Sequence, residues 1–183
     1  MVLVAITGAS GVELAVLLLK QLKKHGKTTE LIITKIAKKI ISIETDYKVD
    51  DLIDISDKYY DVDDLTAGPA SGSYKNNIMV IIPCSMKTLA AIANGYADNL
   101  ITRAADVIIK ERRKLILVVR ESPFSAIHLE NMLKLSRLGV IIAPPIPSYY
   151  IKPKNIEELN EYFIGRILDQ MGIDSGIKRW GDK

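Results

Sequence analysis

Four apolar runs in this chain each end in a short cluster of residues able to do chemistry. Val2–Ile6 leads into Thr7-Gly8-Ala9-Ser10-Gly11, and Leu31–Ile33 into Thr34-Lys35. Ile78–Ile82 leads into Pro83-Cys84-Ser85, and Leu115–Val119 into Arg120-Glu121-Ser122-Pro123. Small residues let backbone N–H groups approach a ligand closely, and a helix start favours negative charge. Hydroxyls, one guanidinium and one carboxylate complete the set. Together they suit an anionic, phosphate-bearing ligand. If the four runs are parallel strands of one open sheet, their carboxyl ends line a single crevice, so clusters far apart in sequence converge.

Each cluster also has a plainer reading. The Gly8–Gly11 turn lacks the G-x-G-x-x-G pattern of dinucleotide sites, and Val12 stands where a nucleophile elbow needs glycine. Ser85 and Thr88 have the spacing of an ordinary helix cap. Cys84 is expected in the core. With only His25 and His128 in the chain, neither a Cys–His nucleophile nor a histidine-rich metal site is expected. Asp50-Asp51-Leu52-Ile53-Asp54 spells the D-D-x-x-D of magnesium–diphosphate sites, but in the wrong fold pattern, and reads as an acidic surface stretch. Arg103, Lys110, Arg112 and Arg113 form a basic helix face, either solvated or a phosphate clamp. Arg120-Glu121 follows a strand directly. It is expected at the crevice rim, partly buried, where a carboxylate with a raised pKa acts in proton transfer.

The elements that position these clusters follow from periodicity. Val2–Ile6 is apolar throughout, as a strand buried on both faces should be. Leu14, Leu17, Leu18 and Leu22 mark a helix that stops near Gly26. Further helices are expected over Ile36–Ile43, Lys87–Ala93, Asn99–Arg112, Ser125–Leu138 and Ile156–Met171, and a last strand over Val140–Ala143. Residues 47–75 read as an irregular loop segment. Alternating strands and helices imply an α/β fold, a three-layer Rossmann-like, doubly wound and mostly parallel sheet. One domain over 1–183 is expected, closed by a C-terminal helix and tail over 155–183. The 183 residues carry a net charge of +3, which is no nucleic-acid signature. No stretch has the length of an apolar membrane helix. Met1–Ile6 lacks the basic start of a signal peptide, and a single cysteine fits a reducing compartment, so a cytoplasmic protein is expected.

The run PCSMKTLAAIANGYADNLITRAADVIIKERRKLILVVRESPFSAIHLENM resembles the signature of the UbiX-type flavin prenyltransferases. TGASG, PASGS, PSYY and KRWG extend the resemblance over nearly the whole chain. It implies transfer of a dimethylallyl group from dimethylallyl monophosphate to N5 and C6 of reduced FMN, without a metal. The product, prenylated FMN, serves UbiD-type decarboxylases. By the same resemblance Gly8, Ala9, Ser10, Thr34, Ser85, Met86, Lys87, Thr88 and Arg120 hold FMN. Tyr150, Arg166, Arg103 and Lys110 hold the prenyl phosphate, while Glu121, Ser10 and Glu44 are catalytic. The family's usual assembly is a dodecamer with sites where subunits meet. One departure is Leu65, where many members carry Trp ahead of PASGS. Two rivals share features: an FMN-dependent cysteine decarboxylase of the phosphopantothenoylcysteine type, and a non-catalytic flavin-binding assembly subunit. PASGS in place of a PASANT-like loop, and His25 at the end of a lysine-rich helix, count against the first. Retention of Glu121, Lys110, Tyr150 and Arg166 counts against the second.

Overall fold

Strand β1, Val2–Ile6, is buried at every position, and it anchors the sheet. Burying each of its valine, leucine and isoleucine side chains is worth about 1.5–3 kcal/mol. Around it the computed structural model, which describes residues 1–181, arranges six strands, all parallel. These are β1, β2 (Thr29–Ile33), β3 (Lys58–Tyr60), β4 (Ile78–Cys84), β5 (Lys114–Val119) and β6 (Ile141–Ile142), in the order β3-β2-β1-β4-β5-β6. The chain winds one way from β1 to β3, then returns to lay β4 on the other side of β1. The switch point, where the carboxyl ends diverge and leave a crevice, therefore lies between β1 and β4.

Alternate residues serve the two faces. Leu3, Ala5, Ile32, Met79, Ile81, Leu115 and Leu117 share a core with helices α4 (Met86–Ala93) and α5 (Leu100–Lys110). Val4, Ile6, Ile33, Val80 and Ile82 are as fully buried on the other face, on the side of helix α1 (Val12–Lys24), which packs on β1, β2 and β4. Helices α2 (Lys35–Glu44) and α3 (Val49–Ile55) lie beside α1, and α6 (Ala126–Arg137) beside α4.

The contact pattern separates Met1–Pro144 from Pro145–Lys183. The second unit holds a 3-10 turn, Tyr149–Ile151, and helix α7, Ile156–Met171. Asn155 starts α7 by accepting from Glu158 N–H at 2.8 Å, and Gly172, at φ 79°, ends it.

The doubly wound sheet and α7 match the sequence expectation. Segment 47–75 does not: it is not irregular throughout but holds α3, β3 and a 3-10 turn at Gly68–Ala70. Asp50, Asp51 and Asp54 are exposed on α3 while Leu52 is buried, so the aspartate run is the outer face of a short helix.

Candidate functional site

Thr7, 1% exposed, organises the switch point. Its hydroxyl donates to Pro83 O at 2.8 Å and accepts from Ser85 N–H at 2.8 Å, so the end of β1 is tied to the end of β4. Beyond this tie lies a cavity of about 360 Å³, lined by Gly8, Thr34, Ile36, Ser85, Met86, Lys87, Thr88, Asn99, Ile101 and Glu121. Three helix starts meet there. Thr34 caps α2 by accepting from Ala37 N–H at 3.1 Å, and Ser85 caps α4 by accepting from Thr88 N–H at 3.3 Å. Asn99 caps α5 by accepting from Ile101 and Thr102 N–H at 3.0 and 3.1 Å. Converging helix starts present partial positive charge to an anion. Ile36, Met86 and Ile101 give the same cavity apolar walls.

Gly8 decides how much room there is. A Cβ at this position would stand 2.8 Å from Ile36 Cγ2. The missing side chain makes a cradle for a ligand that is flat, partly apolar and phosphorylated, and the donor set fits FMN: hydroxyls and helix starts for the phosphate, aliphatic walls for a ring system.

The start of α1 is not free for such a phosphate. Gly11, at φ 104°, and Val12 both donate their N–H groups to Glu44 Oε2, at 2.8 and 3.2 Å. The carboxylate at the end of α2 thus occupies the Gly11 and Val12 N–H groups, which leaves the Gly8–Ser10 part of the turn to a ligand without them. Partial burial pushes the Glu44 pKa up. Hydrogen bonds from Ser10, Gly11 and Val12 and the charge of Arg120 outweigh it, and the net shift is downward. Ser10, Glu44 and Arg120 thus form one polar cluster next to Gly8.

Glu121 lines the cavity but is exposed rather than partly buried, with its carboxylate accepting from Ser122 N–H at 3.0 Å. Burial pushes the Cys84 thiol well above its usual range, which makes it a core residue and not a nucleophile.

Arg103 and Lys110 lie outside the cavity lining. Arg103 donates from Nε to Ala70 O at 3.1 Å and pairs with Asp106 at 2.7 Å, while Lys110 pairs with Glu111 at 2.5 Å. Arg113 donates to the carbonyls of Tyr74, Gly72 and Asn76 at 2.6, 2.7 and 3.2 Å. Arg103 on α5 and Arg113 just after it thus hold the PASGS loop and the residues that follow it. Leu65, ahead of that loop, is 47% exposed. Tyr150 and Arg166 belong to the second unit, where Arg166 pairs with Asp169 at 3.0 Å and Tyr150 meets the Tyr162 ring edge-on.

Sequence reasoning overlooked Thr7 as a tie, and Ile36, Asn99 and Ile101 as lining residues. Asn99 carried a signal, since Asn99-Leu100-Ile101-Thr102 opens an apolar helix as a cap does. Among the described residues no group of three or more His, Cys, Asp or Glu is placed to hold a metal ion, and no helix is long and apolar enough to cross a membrane.

Residues 1–168 match the flavoprotein family. The flavin prenyltransferase UbiX of Methanocaldococcus jannaschii is 52% identical over 181 residues, covering 98% of each chain. A structure of AnUbiX (PadA1) in complex with FMN and dimethylallyl pyrophosphate superposes with a TM-score of 0.97 at 44% identity, over 100% of this chain and 97% of that one. A dodecameric FMN-dependent UbiX-like decarboxylase from Escherichia coli O157:H7 gives 0.95 at 45% identity, over 97% and 98%.

Proposed function

The chain belongs to the flavoprotein family and, within it, to the UbiX-type flavin prenyltransferases, and from that premise we propose how its residues carry the transfer of a dimethylallyl group from dimethylallyl monophosphate to reduced FMN. One observation carries the reading: Gly8, Thr34, Ser85–Thr88 and Glu121, drawn from four separate strand ends, line one cavity at the sheet's switch point. Reduced FMN, when bound, supplies the nucleophilic N5 and C6 that take up the prenyl group.

The chain's own residues have four tasks. Thr34, Ser85 and Thr88, with the starts of α2 and α4, bind the flavin phosphate. Gly8, Ile36, Met86 and Ile101 orient the ring and give it apolar walls. Ser10 and Arg120 hold polar edges of the flavin, with Glu44 bonded to Ser10 and attracting Arg120 by charge. Glu121 exchanges the proton that must leave C6, with access from the open side of the cavity.

The departing phosphate needs cationic partners that stabilise its developing charge. Tyr150, Arg166, Arg103 and Lys110 are assigned that task. Arg103 and Lys110 lie away from their own chain's cavity, which supports a homo-oligomer whose copies complete one another's sites. The dodecameric relative makes a dodecamer the expected assembly. The family match runs across both units of the chain, which supports treating 1–183 as one flavoprotein domain. We place the protein in the cytoplasm and name a UbiD-type decarboxylase as the consumer of the product.

The test is direct. The protein is incubated anaerobically with reduced FMN and dimethylallyl monophosphate, and the extracted flavin is weighed by mass spectrometry. A flavin heavier by one isoprene unit is expected. Unchanged FMN, from protein shown to be loaded with it, overturns the reading.

A further inference from the structure

After α7 the chain turns back along the helix it has just left. Gly172 N–H donates to Asp169 O and Ile173 N–H to Leu168 O, each at 3.0 Å, which closes the turn. The returning segment then crosses α7 at Gly165. A Cβ there would stand 2.3 Å from Ile177 Cγ2, so only glycine admits the tail. One turn further along α7, Asp169 takes hold of it. Ser175 Oγ donates to Asp169 Oδ1 at 3.0 Å. Arg179 reaches both oxygens, Nη1 to Oδ2 at 2.8 Å and Nη2 to Oδ1 at 3.1 Å, as a two-point fork. Just beyond, Trp180 stands edge-on to Tyr150, with ring centres 5.0 Å apart.

The same carboxylate also accepts from Arg166 Nη1 at 3.0 Å. Asp169 is only 12% exposed, whereas Arg166 and Arg179 are 49% and 48% exposed. A fixed, nearly buried carboxylate therefore holds a half-exposed arginine. Its bond to Nη1 leaves the other guanidinium donors of Arg166 to a ligand. An arginine with free rotamers must lose that freedom on binding a phosphate, and one already held loses less.

We propose that Asp169 is a positioning residue for the prenyl-phosphate contact: Arg179 and Ser175 fix its carboxylate, and the fixed carboxylate presents Arg166 ready for the phosphate. The inference rests on the assignment of Arg166 given above. Asp169 and Arg179 touch neither flavin nor prenyl group in this scheme and act through Arg166 alone.

A double-mutant cycle on the full-length protein separates the possibilities. Binding of dimethylallyl monophosphate is measured by calorimetry on the complex with oxidised FMN, which does not turn over. The proteins are wild type, Asp169→Asn, Arg166→Ala and the double variant. FMN affinity and melting temperature are recorded for each. With reduced FMN, KM and kcat are then read separately. Asp169→Asn is expected to weaken prenyl-phosphate binding roughly tenfold, about 1.4 kcal/mol. It should raise KM more than it lowers kcat and leave FMN affinity unchanged. In the Arg166→Ala background the same change should have no further effect. Arg179→Gln, which leaves Asp169 in place, should weaken binding in the same direction by a smaller factor, and it serves as the test where Asp169→Asn does not fold.

Equal losses from Asp169→Asn in both backgrounds would overturn the relay through Arg166. So would wild-type affinity in Asp169→Asn or Arg179→Gln while Arg166→Ala binds poorly. Wild-type affinity in Arg166→Ala overturns the assignment of Arg166 itself and the inference with it.

Discussion

Gly8→Ala isolates the cavity from the fold. The added methyl would stand 2.8 Å from Ile36 Cγ2 and 3.2 Å from Ile36 Cβ, so the isoleucine must move. Overpacking costs about 1–3 kcal/mol where neighbours cannot yield. Ile36 is 56% exposed, so Cγ2 can swing away, and its Cβ needs the start of α2 to give by only a small shift, which puts the cost at the low end. Gly8 is not among the positive-φ glycines, so alanine fits its backbone, and the replacement gains about 0.4–1 kcal/mol from the unfolded state. The two effects nearly cancel, so the melting temperature should stay within about 4 °C of wild type. The ligand meets a different balance, because Gly8 and Ile36 both line the cavity and the new methyl and the displaced side chain occupy it together. FMN affinity should fall at least about tenfold, roughly 1.4 kcal/mol. Flavin fluorescence titration beside thermal melts reads both quantities. Trimming the neighbour, as Gly8→Ala with Ile36→Ala, should restore most of the affinity. Wild-type FMN binding in Gly8→Ala would refute the placement of the flavin; loss without rescue would refute the steric argument.

Two further predictions concern groups that hold the frame. Tyr74 donates to the buried Glu30 carboxylate at 2.5 Å beside Tyr60 at 2.9 Å, while Glu30 Oε2 has no partner. Tyr74→Phe should therefore cost about 1.5–3 kcal/mol, seen as a lower urea midpoint with unchanged slope, and a wild-type midpoint contradicts this. Glu44 has its pKa lowered in the fold, so its contribution is present above the ordinary carboxylate value of 4.5 and is lost as pH falls through the lowered pKa. Because Glu44 is exposed, Glu44→Gln should cost only about 0.5–1 kcal/mol at neutral pH. It should also flatten the loss of stability below pH 4.5, and parallel stability–pH curves for the two proteins would show that Glu44 does not cap α1.

The sheet was legible because β1 is apolar at every position and its inner neighbours carry short apolar runs, as strands covered on both faces should, too short for buried helices. Helix α7 was legible to the residue because its caps, Asn155 and Gly172, are strong local signals. Strand β3 was not, since Lys58-Tyr59-Tyr60 is an edge strand of three residues whose pairing with β2 is a tertiary fact. Helix α3 was hidden in a run of aspartates that obscured its single buried residue, Leu52. At the site, strand ends told which residues would converge. They did not tell that Glu44, thirty-three residues beyond Gly11, would close the start of α1. Nor did they tell that Arg113 would be consumed by three carbonyls, Gly72 in the PASGS loop and Tyr74 and Asn76 just after it. A cation's partner depends on what the fold brings beside it, and composition is blind to that.

That distinction bears on how the reaction is housed. Separating an allylic carbon from phosphate creates a cation that water destroys, so the pocket must be dry when the bond breaks. The single chain supplies a flavin-sized cavity with apolar walls, yet Glu121 at its edge is exposed, Arg103 is turned to the PASGS loop and to Asp106, and Lys110 to Glu111. On the proposed reading the dryness and the phosphate's counter-charges come from assembly. Half-exposed arginines and lysines are then not idle surface but one half of a site. Their present ion pairs, at exposed positions and weak for that reason, are the interactions a phosphate dianion must outcompete. A phosphate brings two charges and several acceptor oxygens against one carboxylate, and once a second copy excludes water the same contacts gain strength as the local dielectric falls.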